Sequence, residues 1–146
     1  MPFVPPPEAV IAQSRAETAI VREVNRVRRA HGLRRVRVAP GLAGAARSHS
    51  FAMLRHDRLS HESFDGSSFV GRLRRSVGRR HKYGETLAWA PAGSGAGARM
   101  IVRMWLGSPP HRRVVLNRTL RRIGVARVRG SMGGQRGHAI TADFSS

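Results

Sequence analysis

The chain has no cysteine at all. Disulfide bonds, thiolate nucleophiles and cysteine-held metals are thereby excluded. The absence leaves the compartment open, because many secreted bacterial domains also lack cysteine. Lysine is nearly missing as well, with Lys82 its one occurrence. Acidic residues number 8 against 27 basic ones, so the positive charge has few internal partners. Aromatics make up only 5% of the chain, which leaves Val, Leu, Ile, Ala and Met to build the core. No apolar run approaches membrane-spanning length, because arginine interrupts each one. The opening Met1-Pro2-Phe3-Val4-Pro5-Pro6-Pro7 lacks a basic segment followed by an apolar one, so it does not read as a signal peptide.

What is present is arginine. The formal net charge is +19 over 146 residues, a length that fits one domain with a sizeable core. Such a charge suits phosphates of nucleic acid, anionic lipid headgroups or an acidic cell-wall polymer. It equally suits a GC-rich genome that replaces lysine with arginine on solvated faces. The arginines are spread along the chain and have few aromatic stacking partners, which favours nonspecific polyanion binding over a dedicated nucleic-acid module. The densest run, Arg72, Arg74, Arg75, Arg79 and Arg80, reads as a solvated face where anions would dock first.

The hydrophobic pattern divides the chain into short elements. Residues 1–15 form a proline-rich extension and 16–146 the domain, with helical periodicity setting in from about Glu8. Ile20, Val21, Val24 and Val27 recur at threes and fours up to Ala30, and His31-Gly32 ends that helix. Val36 to Val38 is extended. Leu42 to His56 is amphipathic, and His49 on its apolar face reads as a satisfied, semi-buried histidine. Ser67 or Ser68 caps a short helix carrying Phe69, Leu73 and Val77. Glu85 to Trp89 reads as a strand and Ala98 to Leu106 as a helix. Ser108 caps another helix begun by Pro109. Ile123–Val128 and His138–Phe144 predict an antiparallel hairpin joined by a glycine-rich loop. Helices with strands concentrated late give an α+β domain.

Read in order, these segments resemble the bacterial branch of the CAP superfamily, which includes cysteine-rich secretory proteins, antigen 5 and pathogenesis-related class 1 proteins. The resemblance is carried by Ala45-Ala46-Arg47-Ser48-His49, Leu59-Ser60-His61, and Gly84-Glu85-Thr86-Leu87-Ala88-Trp89. It continues through Trp105-Leu106-Gly107-Ser108-Pro109-Pro110-His111-Arg112, Ile123-Gly124-Val125-Ala126 and Thr141-Ala142-Asp143-Phe144. It covers roughly residues 17–146. It implies an α-β-α sandwich with a small, about three-stranded antiparallel sheet between helical layers. It also implies a cleft of histidines and acids that in some members binds a divalent cation.

Carried over by motif, His61, Glu85 and His111 are the expected metal-site residues, for a cation such as Zn²⁺. Ser108, Trp105, Asp143 and His138 are expected around the pocket. His138 stands one residue early against Thr141, which in a strand turns it to the opposite face. Departures from the family pattern are Thr86, where asparagine is usual, and Pro110, where glycine is common. The metal expectation rests on the resemblance, since His61, Glu85 and His111 come from three separate segments. With no Gly-x-Ser-x-Gly elbow and no local partner for Glu85, catalysis is the weaker expectation. The sequence therefore reads first as a noncatalytic, extracellular or envelope-associated domain binding a small hydrophobic or sterol-like ligand, a cation or a surface partner. A metal-assisted hydrolase with Glu85 as base is the alternative, and a nonspecific nucleic-acid or polyanion binder the third reading.

Overall fold

A computed structural model describes residues 13–146, so the proline-rich lead-in and the stretch from Glu8 to Ile11 lie outside the described residues. Helix α1 spans Arg15–Ala30. Its start is fixed by a capping box, in which the Ser14 hydroxyl accepts from the Glu17 amide and the Glu17 carboxylate accepts from the Ser14 amide. The remaining elements are β1 (Arg37–Val38), α2 (Pro40–Arg55), α3 (Phe69–Val77), β2 (Tyr83–Pro91), α4 (Ala98–Leu106), α5 (Pro109–Val115), β3 (Arg122–Met132) and β4 (Gln135–Ser145).

The strands form one sheet in the order β1-β3-β4-β2. The expected hairpin is present: β3 and β4 pair antiparallel, and β2 adds antiparallel to the far side of β4. The fourth strand is the addition to the expected three. β1 is only two residues long and pairs parallel with β3, Arg37 opposite Arg122 and Val38 opposite Ile123. Hydrophobic alternation over two residues is too short a signal to announce a strand.

Helices cover both faces, as the α+β sandwich requires. On one side Ile20, Val24, Ile101, Trp105, Val115, Ile123, Val125 and Phe144 join α1, α4 and α5 to the sheet in the main core. On the other side α2 and α3 cover the sheet with smaller apolar clusters around Leu42, Leu73, Ala46 and Met53. Gly124 permits the close approach of α2. A Cβ at that position would overlap the backbone of Leu42 and Ala43, so no side chain fits there. Since Gly124 pairs with Asp143, this contact also seals the sheet above that acid.

One arginine serves the fold alone. Arg28 is fully buried and donates to the carbonyls of Arg34, Val115, Asn117 and Leu120. Four of the five guanidinium N–H donors thus meet carbonyls and tie α1 to three later segments.

Candidate functional site

Strand alternation sets the site. Glu85 on β2 pairs directly with Asp143 on β4, so both side chains rise on the face covered by α2 and α3. Both are buried. Over them lie His49 from α2, His61 from the loop after α2, and Arg72 from α3. Ser50 of α2 joins the same face through its hydroxyl, 2.8 Å from that of Thr141.

Arg72 is the central cation. It lies at helical spacing with Phe69 and Leu73, which turns it inward with the apolar face of α3. Its Nη1 donates to Glu85 Oε2 at 2.8 Å and Nη2 to Oε1 at 3.3 Å. Nη2 also donates to the His61 carbonyl at 2.9 Å, and Nε to the Ser63 hydroxyl at 2.9 Å. His61 Nδ1 lies 3.0 Å from Glu85 Oε1. Both oxygens of Glu85 are therefore engaged. Asp143 is different: neither oxygen meets a hydrogen-bond donor among the other described residues, and the cation facing it is Arg72 Nη1 at 3.6 Å.

The electrostatics follow from this arrangement. Burial by itself would raise the Glu85 pKa, but hydrogen bonds from Asp143, His61 and Arg72, with the Arg72 charge, lower it to about 2. Burial and the neighbouring Glu85 charge push Asp143 well above the carboxylate range. The pair thus carries one negative charge and one retained proton, and Arg72 balances the charge. His49 is held below its usual pKa chiefly by burial. Its Nε2 lies 2.6 Å from the Ser60 carbonyl, an acceptor, so that nitrogen carries the proton. Glu85 Oε1 is 4.0 Å from the same nitrogen.

The expected residues separate into two groups. His61, Glu85 and Asp143 meet in the cluster, and His111 stands at its outer rim, its ring centre 6.4 Å from that of His61. Burial, followed by the influence of His61, keeps the His111 pKa low. Trp105 and His138 stand elsewhere. The Trp105 indole is buried in the main core on the other face of the sheet and donates to the Leu87 carbonyl. His138 also points to that other face, in a shallow depression with Arg127 and the Pro91–Gly97 loop. Ser108 makes no side-chain cap: Pro109 and Pro110 offer no amide hydrogen, and the Ser108 carbonyl accepts from Arg112 instead.

Arg72 departs from the solvated run expected of it, and its neighbours Phe69 and Leu73 at helical spacing carry the signal for an inward position. His49 is the satisfied, buried histidine that its helix face implies, and the packing of α2 on β2 and β4 brings it within 4.0 Å of Glu85.

The divalent cation implied by the family does not fit this donor set. The Arg72 guanidinium occupies both carboxylate oxygens that a metal would need, and His61 Nδ1 is turned to one of them. A cation entering there would meet a fixed positive charge in a low-dielectric pocket. A hydrogen-bonded guanidinium and a metal compete for the same place.

Next to the cluster lies an open cavity of about 500 Å³. It is lined by His49, His56, Phe64, Arg55, Arg72 and Arg75, among others. The His56 and Phe64 rings stack at 4.4 Å and 7°, closing one wall. Three arginines against Asp65 leave the lining net positive, while Ala45, Ala52 and the Phe64 floor supply an apolar part.

The sequence pattern of the cysteine-rich secretory protein family, CAP, matches residues 21–144. No curated protein matches the chain. Among solved structures it is similar to an outer surface protein of Borrelia burgdorferi, at a TM-score of 0.75 and 18% identity over 92% of this chain and 96% of that one. An extracellular protein of Bacillus anthracis that contains an SCP domain superposes with a TM-score of 0.72 and 25% identity, over 89% of this chain but only 40% of the other. A venom allergen-like protein of Schistosoma mansoni gives 0.66 and 16%, over 91% and 89%. The neighbours thus include outer-surface and extracellular proteins, and no helix among the described residues is long and apolar enough to cross a membrane. With the family pattern extending over most of the chain and the sandwich in place, the chain belongs to the cysteine-rich secretory protein (CAP) family.

Proposed function

We propose that this chain is a noncatalytic CAP domain of an extracellular or envelope-associated protein and that it acts by binding. One observation carries this reading: both Glu85 oxygens are engaged, by Arg72 and by His61. A general base or a metal ligand needs a free lone pair directed at its target, and Glu85 keeps none in that position. Asp143 holds a proton but is sealed under the helices, beyond reach of a substrate.

The ligand that suits the cleft is polar. His61, the exposed member of the cluster, and the cationic cavity beside it favour a small molecule with a carboxylate, phosphate or several hydroxyls over a sterol-like one. The Phe64 floor would take its apolar part. Extracellular placement is supported by the neighbouring structures, and the lack of cysteine is no obstacle to it.

The test has two arms. Peptide, ester and cell-wall substrates should be turned over no faster by the wild type than by Glu85→Gln. Hydrolysis that disappears in Glu85→Gln while the fold persists would restore the enzyme reading. In calorimetry, zinc should show no saturable uptake that depends on His61 and His111. Uptake abolished by His61→Ala with His111→Ala would place a metal in the cleft after all.

A further inference from the structure

We infer that the β1 edge of the sheet is a docking groove for a flexible, linear phosphate polymer. Two depressions, of about 350 and 340 Å³, adjoin there and share Arg35. The first is lined by Arg35, Arg37, Arg121 and Arg122, the second by Arg22, Arg29 and Arg35. No acidic and no aromatic side chain lines either one. None of the six arginines forms an ion pair or a side-chain hydrogen bond among the described residues, and all are exposed. Of the described acids, Glu17, Glu23, Asp65 and Glu85 are spent on other arginines.

The register supplies a second, independent observation. Arg37 and Arg122 are direct partners in the parallel β1–β3 pair. Like charges placed opposite one another destabilise a sheet, and a local conflict of this kind points to a role outside folding. The chain even holds the conflict in place. Arg28 binds the carbonyls of Arg34 and Leu120, the residues before Arg35 and Arg121. Asn25 binds both the amide and the carbonyl of Val36, between Arg35 and Arg37. The guanidinium stems are thus mounted on a backbone held by buried and partly buried bonds, which lowers the ordering cost of binding.

The chemistry selects the occupant. Guanidinium forks match phosphate oxygens in pairs. With no aromatic in the groove there is no platform for stacked bases, so a single-stranded nucleic acid gains only its backbone contacts. A bilayer is flat, and this region offers it no aromatic anchor and only Val38 as an exposed large apolar residue. A thin chain of phosphates can follow the bend from α1 past β1 to β3. This groove is separate from the His61–Glu85 cleft, and neither proposal depends on the other.

End-labelled inorganic polyphosphate is the probe, and fluorescence anisotropy across a salt series is the readout. Wild type should bind, and Arg35→Gln/Arg37→Gln/Arg122→Gln should bind at least about tenfold more weakly. The slope of log K against log salt should fall by about 2, as expected for three lost phosphate contacts. The equally charged control Arg58→Gln/Arg129→Gln/Arg136→Gln, exposed around the β3–β4 turn at the far end of the hairpin from Arg122, should stay within about threefold of wild type. Arg37→Glu separates binding from folding: facing Arg122, it should raise the thermal midpoint while weakening polyphosphate binding. The inference is overturned if both triples lose affinity equally, which marks net charge alone. It is also overturned if Arg37→Glu binds like wild type. Vesicles of phosphatidylglycerol or a DNA duplex bound far more tightly than polyphosphate, with the same arginine dependence, would replace the occupant and overturn it too.

Discussion

Arg72 and the arginines at the β1 edge are the same residue in two opposite situations. Arg72 is buried between α3 and the sheet, with its donors spent on Glu85, Ser63 and the His61 carbonyl. Arg37 and Arg122 stand exposed beside each other, without an acid in reach. In the first region the charge is consumed by the fold, in a self-contained cluster with Glu85. In the second the charge is left over and points outward. A net charge of +19 is therefore not one property of this chain. Some of it, at Arg28 and Arg72, is internal structure, and some of it is free to act on other molecules.

The largest expected effect breaks the buried side of the comparison. Arg72→Met should cost about 3–5 kcal/mol in urea unfolding, because it leaves Glu85 as a buried charge without its counterion. Arg72→Lys should recover only part of this, since a single ammonium cannot bridge two oxygens and a carbonyl in the same plane. An unchanged midpoint in Arg72→Met would show that the cluster does not depend on its guanidinium.

Acid should dissolve the same cluster. Glu85 has its pKa held at about 2 against an ordinary 4.5, so its stabilising contribution is complete above 4.5 and is lost as pH falls toward 2. The contribution is roughly 3 kcal/mol. Thermal midpoints should fall through that window in wild type and be flatter in Glu85→Gln.

Asp143 carries the opposite sign. Its raised pKa lowers stability as pH climbs above its ordinary value of 3.8, because the folded state holds a proton that the unfolded chain releases. Asp143→Asn keeps a donor for Glu85 and removes that cost, so its gain in thermal midpoint should be larger at about pH 8 than at about pH 4. A gain independent of pH would mean that Asp143 is ionised in the fold.

The smallest effect sharpens the exposed side. Arg37→Glu should stabilise the fold by a few tenths of a kcal/mol by giving Arg122 an opposite charge across the strands. At high salt the gain should shrink, as screening predicts for an exposed pair.

Much of the architecture was legible residue by residue. Ile20, Val24 and Val27 marked α1, Ser67 or Ser68 marked the start of α3 (Ser68 in the structure), and the glycine-rich segment from Gly130 to Gly137 marked the β3–β4 turn. Ser14 and Glu17 also stand at capping-box spacing, a start signal that hydrophobic periodicity does not use. Local sequence showed Val36 to Val38 as extended but not that Arg37–Val38 joins the sheet, because two residues acquire strand character only from the partner they meet. Motifs named His61, Glu85 and His111, since short patterns at those positions carry the family resemblance. They also placed Trp105 near the pocket, whereas the packing of α4 turns it to the far face of the sheet; His138 lies on that face too, as its one-residue offset from Thr141 implies.

By itself, then, the sequence determined the family, the α+β class, the order of elements and the excess of arginine. These depend on periodicity, composition and short motifs, all of which are local. Tertiary structure decided what each arginine does. Whether a guanidinium meets a carboxylate, a carbonyl or another guanidinium depends on segments far apart in the chain, brought together by the sheet register and by the close approach of α2 at Gly124. Partner and burial, which set the energy of a charge, are properties of the fold.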